Sequence, residues 1–201
     1  MTWYIFRHCE TLSNKLKTKF CGEVETLLTL RGIDQAKSIG HRLINTQEDF
    51  SKFEFIASPL ARTRHTTQII LELLKLEDKE LVEEPLLKTK YRGDLEGMLR
   101  KEAEVKYVES FKERDRDFWN WCPPGNGESH ASEYQRVLKF IDKYKEKDNL
   151  FICGHQGTIS VLVKVLEGWT EEQIKSDRKN LKFDQNYFYS YNKENKVVTK
   201  L

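Results

Sequence analysis

Arginine and histidine recur in this chain where short apolar runs end. Trp3-Tyr4-Ile5-Phe6 delivers Arg7-His8-Cys9-Glu10, Leu150-Phe151-Ile152-Cys153 delivers Gly154-His155-Gln156-Gly157, and Phe53 to Ala57 delivers Ser58-Pro59-Leu60-Ala61-Arg62. Two imidazoles and two guanidiniums at the ends of strands suit phosphoryl transfer. That reaction asks mainly for positioned cations around the phosphoryl oxygens, and a histidine can serve as its covalent nucleophile. Arginine fits the clamp because its planar fork stays charged and donates parallel hydrogen bonds, each contributing on the order of 1.5–3 kcal/mol. Taken singly, each of these residues reads best as ordinary packing or surface. Taken together they do not, because all four fall at strand ends or in first helical turns, where open α/β sheets bind their ligands.

The elements that must hold them alternate strand and helix. Thr29 is placed to cap a helix whose apolar face is Ile33, Ala36, Ile39 and Leu43. Ser58 reads as a second N-cap with Pro59 at the first helical position, which puts Arg62 in the first turn beside amides that favour a phosphate. Ile69, Ile70, Leu73 and Leu74 are the expected buried face of that helix, and His41 and His65 read as surface or packing residues. Lys15, Lys17 and Lys19 read as a solvated loop. Leu81-Val82-Glu83 reads as a short strand ended by Pro85, and a charged helix is expected from Arg100 to Arg116. Phe118, Trp119 and Trp121 read as the anchor of the irregular Cys122-to-Gly127 loop. Tyr134, Val137, Leu138 and Ile141 stripe the next helix, a largely apolar helix runs from Thr158 to Leu166 with Gly168 as its stop, and Tyr187 to Val198 reads as a hairpin.

Composition bounds the answer. The chain has 201 residues with 38% apolar content, enough for one substantial core and one α/β domain spanning 1–201. Its 34 basic and 32 acidic residues nearly cancel, so no nucleic-acid partner is indicated. No apolar run is long enough to cross a bilayer and the start carries no secretory signal pattern, so no membrane partner and a cytoplasmic location are expected. Four cysteines without paired Cys-x-x-Cys spacing argue for reduced thiols over a disulfide framework or a zinc site. Cys9 and Cys153 flank the two histidines and read in two ways, as thiols whose thiolates nearby arginines would favour or as small buried apolar residues.

Six ordered segments carry a resemblance to a known family. They are Arg7 to Thr11 with Asn14, Gly22 to Ala36, Ser58 to Thr63, Gly93-Asp94-Leu95-Glu96-Gly97, Pro123 to Ser129, and Gly154 to Gly157. In this order they resemble the histidine phosphatase superfamily, the phosphoglycerate mutase-like proteins, and cover most of the chain. The resemblance implies a three-layer α/β/α sandwich around a mostly parallel sheet. It also implies a two-step reaction through a phosphohistidine, with no cofactor and no metal. By family position His8 is the nucleophile, and Arg7, Arg62 and His155 complete the phosphate pocket. Asn14, Cys21, Gly22, Gln156 and Gly157 match positions that border substrate. The short chain and the Gly93-to-Gly97 and Pro123-to-Ser129 segments look most like the small phosphatases, the branch of broad-specificity and α-ribazole-phosphate phosphatases. That implies a phosphomonoesterase acting on a small phosphorylated metabolite, with a homodimer left open. Cys9 stands where the family commonly has Gly, which is tolerable where the backbone is not left-handed. Gln156 also replaces a usual Gly. The family's general acid falls at Thr89, which is no acid at neutral pH, and the nearby carboxylates Glu83, Glu84, Asp94 and Glu96 remain candidates. A mutase of the same fold, or a weakly active phospho-ligand-binding module, are the alternatives.

Overall fold

The computed structural model describes residues 1–16, 19–177 and 183–201; Lys17 lies outside them. The strands are β1 (Thr2–Arg7), β2 (Glu54–Ala57), β3 (Leu81–Glu83), β4 (Leu150–Gly154), β5 (Tyr189–Asn192) and β6 (Val197–Lys200). The helices are α1 (Leu12–Leu16), α2 (Leu30–Ile44), α3 (Ala61–Leu73), α4 (Arg100–Lys106), α5 (Val108–Arg116), α6 (His130–Tyr144), α7 (Gln156–Leu166) and α8 (Glu171–Asp177). Among the described residues the strands form one sheet in the order β3-β2-β4-β1-β5-β6. The first four are parallel, and β5 and β6 add an antiparallel edge. No helix of the described residues is long and apolar enough to cross a membrane.

The apolar runs that end in Arg and His are continuous because β1 and β4 are covered on both faces. Trp3, Ile5, Leu150 and Ile152 point into one core with Val137, Phe140, Ile159 and Leu162 from α6 and α7. Tyr4, Phe6, Phe151 and Cys153 point into a second core with Ala36, Ile39, Leu43 and Ile70 from α2 and α3. Helix layers on both faces of a mostly parallel sheet make the expected three-layer sandwich.

Several local expectations hold, and others are corrected. Thr29 caps α2 by accepting the Gly32 amide at 3.0 Å. Gly168, with φ of +83°, follows α7 as the expected stop. Ser58 is not a cap: α3 begins at Ala61 with Leu60 in the capping position, so Pro59 lies before the helix. The buried face of α3 is also more polar than its apolar spacing suggests. Thr63, Thr66 and Thr67 are buried beside Ile70 and Leu71, and their hydroxyls donate to carbonyls one turn back or nearer. The charged helix expected from Arg100 to Arg116 breaks at Tyr107 into α4 and α5. Trp119 and Trp121 are buried, as expected of an anchor, while His41 and His65 are exposed.

Candidate active site

Strand register assembles the site. Arg7 lies opposite Gly154 in the β1–β4 pair, and the His8 amide donates to the Gly154 carbonyl at 2.9 Å. His8 and His155, each one residue past its strand, therefore emerge side by side with ring centroids 5.2 Å apart. On the other flank Ala57 lies opposite Cys153, and the Ser58 amide donates to the Cys153 carbonyl at 3.0 Å. The chain then turns into α3, whose first turn carries Arg62 back over His155. The structure thus brings Arg7, His8, Arg62 and His155 together from three adjacent strand ends.

Hydrogen bonds fix each group. His8 Nδ1 lies 2.9 Å from the Cys9 carbonyl, which can only accept, so Nδ1 carries the proton and Nε2 keeps its lone pair. Arg62 Nε donates to His155 Nδ1 at 3.4 Å, so His155 Nε2 carries its proton and donates to Ser58 Oγ at 2.9 Å. Arg62 also donates through Nη1 to the Val24 carbonyl at 3.0 Å and through Nη2 to the Gly22 carbonyl at 2.8 Å. Arg7 Nη1 donates to the Phe183 carbonyl at 3.0 Å. Its Nε is buried and has no hydrogen-bond partner among the described residues. A buried orphan donor on a cation beside a second guanidinium is a place for an anionic oxygen.

The electrostatics keep both imidazoles neutral. His8 is held well below its ordinary value by burial first, then by Arg7 and Arg62. Burial also dominates the lowering of His155, with Arg62, His8 and Arg7 adding to it. Arg7 itself is pushed down to about 10, chiefly by burial, and still carries its charge at neutral pH. An uncharged His8 with an available Nε2, set among fixed cations, is a nucleophile facing an anion site.

The remaining expected residues divide. Asn14, on α1, accepts from the Gln185 side chain at 2.9 Å, and the same Gln185 nitrogen donates to the His8 carbonyl at 3.1 Å. Gly22 adopts a φ of +49° and lends its carbonyl to Arg62. Cys21 precedes it, half-buried, and Gln156 and Gly157 open α7 beside His155. Three of the four candidate carboxylates are engaged elsewhere. Glu84 is buried and accepts from Lys143 and Tyr144 of α6. Glu83 pairs with Arg64 in solvent, and Asp94, exposed, accepts from the Tyr107 hydroxyl. Glu96 does lie at the site, where its Oε1 accepts the amides of Glu23 and Arg92.

The thiol expectation is overturned. Cys9 is fully buried and desolvation pushes its thiol up to about 12; burial likewise raises Cys153. Their side chains pack in the apolar core on the α2–α3 side, and for Cys9 the pull of Arg7 toward thiolate is outweighed by desolvation. Cys9 is not among the residues with positive φ, so replacing a glycine there strains nothing. Sequence reading missed the role of Ser58 on His155, the link from Gln185 to His8, and an ion pair between Glu23 and Lys88 at 2.8 Å. None has a local signal, since the partners are distant along the chain.

Known proteins resemble this chain over most of its length. The model of the histidine phosphatase superfamily (branch 1) matches residues 3–183. The phosphoglycerate mutase of Schizosaccharomyces pombe is 30% identical over 96% of this chain and 92% of its own length. The adenosylcobalamin/alpha-ribazole phosphatase of Salmonella typhimurium is 32% identical over 81% of this chain and 78% of its own. Among solved structures, the alpha-ribazole phosphatase from Shigella flexneri superposes with a TM-score of 0.79 at 27% identity, covering 99% of this chain and 94% of that one.

Proposed function

Because the chain belongs to the histidine phosphatase superfamily, we propose that it is a phosphomonoesterase that hydrolyses a small phosphorylated metabolite through a phosphohistidine on His8. The observation that carries this reading is the state of His8, neutral with its Nδ1 proton committed to Cys9 and its Nε2 set among Arg7, Arg62 and His155. In the first step His8 Nε2 attacks phosphorus, the nitrogen–phosphorus bond forms, and the ester oxygen leaves as the alcohol once it gains a proton. In the second step water attacks the same phosphorus, phosphate departs and His8 is restored. Arg7 and Arg62 balance the phosphoryl oxygens in both steps, and His155 donates to one of them when it leaves Ser58.

A panel of phosphorylated metabolites and nitrophenyl phosphate, screened for phosphate release with His8→Ala as the blank, tests the assignment. Labelled substrate should leave an acid-labile, base-stable label on the native protein and none on the variant. Label on a serine or aspartate, or undiminished turnover by His8→Ala, would rule the mechanism out. The mutase relatives support a second reading, phosphoryl transfer between two positions of one metabolite. Dependence of turnover on a bisphosphorylated primer would establish that reading in place of hydrolysis.

A further inference from the structure

A closed circuit of contacts runs round one side of the pocket. Arg62 Nη2 donates to the Gly22 carbonyl at 2.8 Å, and the next residue, Glu23, places Oε2 at 2.8 Å from Lys88 Nζ. The Lys88 carbonyl accepts from Thr158 Oγ1 at 2.7 Å. Thr158 stands in the first turn of α7, three residues after His155, and His155 closes the ring by accepting from Arg62. Every other link in the ring is buried or ends on backbone. Of the two links that join side chains, Arg62–His155 is buried, whereas Glu23 and Lys88 are 28% and 35% exposed. The Glu23–Lys88 pair is therefore the part of the ring that a substrate arriving from solvent meets.

Hydrolysis of an alkyl phosphate needs a proton at the departing oxygen, and a positioned acid typically contributes ~10²–10⁴-fold. Three carboxylates act on Arg62, those of Glu25, Glu96 and Glu23. Both oxygens of Glu25 accept the Ala61 amide at the start of α3. Glu96 Oε1 is fixed by two backbone amides. Among the described residues the Glu23 carboxylate is held by the Lys88 side chain, which is 35% exposed. Thr89, beside Lys88, offers a hydroxyl that does not ionise.

We propose that Glu23 is the proton donor to the leaving group and that Lys88 is its positioning residue. This rests on the phosphomonoesterase reading above. On binding, the phosphate monoester monoanion gives its proton to the Glu23 carboxylate as the pair with Lys88 opens. As the bond from His8 Nε2 to phosphorus forms and the bond to the ester oxygen breaks, the Glu23 carboxyl gives that proton to the ester oxygen. The resulting carboxylate pairs with Lys88. As water attacks the phosphohistidine, Glu23 takes the proton released from that water and returns it to the departing phosphate, so that its carboxylate pairs with Lys88 again. One water is consumed, and one alcohol and one phosphate are released, with no net proton gained by the protein.

The test is kcat/KM for ethyl phosphate and for nitrophenyl phosphate, whose leaving group scarcely needs protonation. Glu23→Gln is expected to lower the ethyl rate by ~10²–10⁴-fold and the nitrophenyl rate by a much smaller factor. Lys88→Met leaves the Glu23 carboxylate without its partner and is expected to lower the ethyl rate selectively, and Lys88→Arg to restore it. Equal losses on both substrates, a selective ethyl loss in Glu96→Gln in place of Glu23→Gln, or an unchanged ethyl rate in Lys88→Met would each overturn the assignment. If the native protein turns over neither substrate, the phosphomonoesterase reading falls first and takes this one with it.

Discussion

His8 is neutral because the same burial and guanidiniums that prepare the site for an anion also expel a proton from the imidazole. The cost of that arrangement falls on the neighbouring donors, which must all be satisfied inside the protein. Ser58 is fully buried and its Oγ accepts the hydrogen bond from His155 Nε2, so Ser58→Ala leaves a buried N–H without an acceptor. The loss should be about 1–3 kcal/mol of stability, read as a lowered denaturation midpoint. The His155 ring would also be free to rotate, so kcat should fall with it; unchanged kcat would mean that Ser58 does not orient His155. The cysteines behave as packing residues. At pH 8 an alkylating reagent should modify the exposed Cys122 in the native protein and reach Cys9 and Cys153 only after denaturation. Mass spectrometry of the labelled peptides checks this, and early labelling of Cys9 would contradict its burial.

Two short elements carry functional residues by their backbones. Gly22 holds Arg62 through its carbonyl, and a Cβ there would lie 2.0 Å from Glu96 Oε1 on a backbone with φ of +49°. Gly22→Ala must therefore displace the loop from Arg62, and a shift of about 1 Å can cost about 10² in rate. The expected result is a large fall in kcat/KM with a small change in melting temperature, since the loop contributes little to either core. A fall in stability without loss of turnover would show that the Gly22 contact does not position Arg62. Thr29 has a double role at the start of α2, accepting from Gly32 and donating its hydroxyl to Glu10 at 2.8 Å. Thr29→Ala should destabilise by about 1 kcal/mol through the lost cap, measurable by urea unfolding.

At the scale of the whole molecule the buried histidine pair links stability to pH. In the unfolded chain both imidazoles titrate near 6.5, and in the folded chain both are held well below that. The unfolded state therefore binds more protons as pH falls below about 6.5. The stability this pair contributes is complete above that value and is lost as pH drops toward the folded values. The melting temperature should fall from pH 7 to pH 5, before most carboxylates titrate. Inorganic phosphate, bound between Arg7 and Arg62, should raise it at both ends of that range. A melting temperature flat from pH 7 to pH 5 would show that these histidines are not buried neutral.

Much of this molecule is local and was legible as such. Apolar runs covered on both faces read as buried strands, the spacing of Ile33, Ala36, Ile39 and Leu43 read as a helix, and Thr29 read as its cap. The positions of Arg7, His8, Arg62 and His155 followed from where the runs end. What the sequence could not settle depends on which strands are neighbours. The order that sets β4 between β1 and β2 makes Ser58 the partner of His155 when local reading makes it a helix cap. The same order turns the side chains of Cys9 and Cys153 into an apolar core while the residues beside them face the arginines. Of the carboxylates near Thr89 in sequence, Glu83, Glu84 and Asp94 are engaged elsewhere and Glu96 lies at the site, while Glu23, 65 residues from Lys88, meets it across loops. Propensity and periodicity act over a few residues. Contacts across the sheet and between loops are set by packing of the whole chain, and only the tertiary structure decided them.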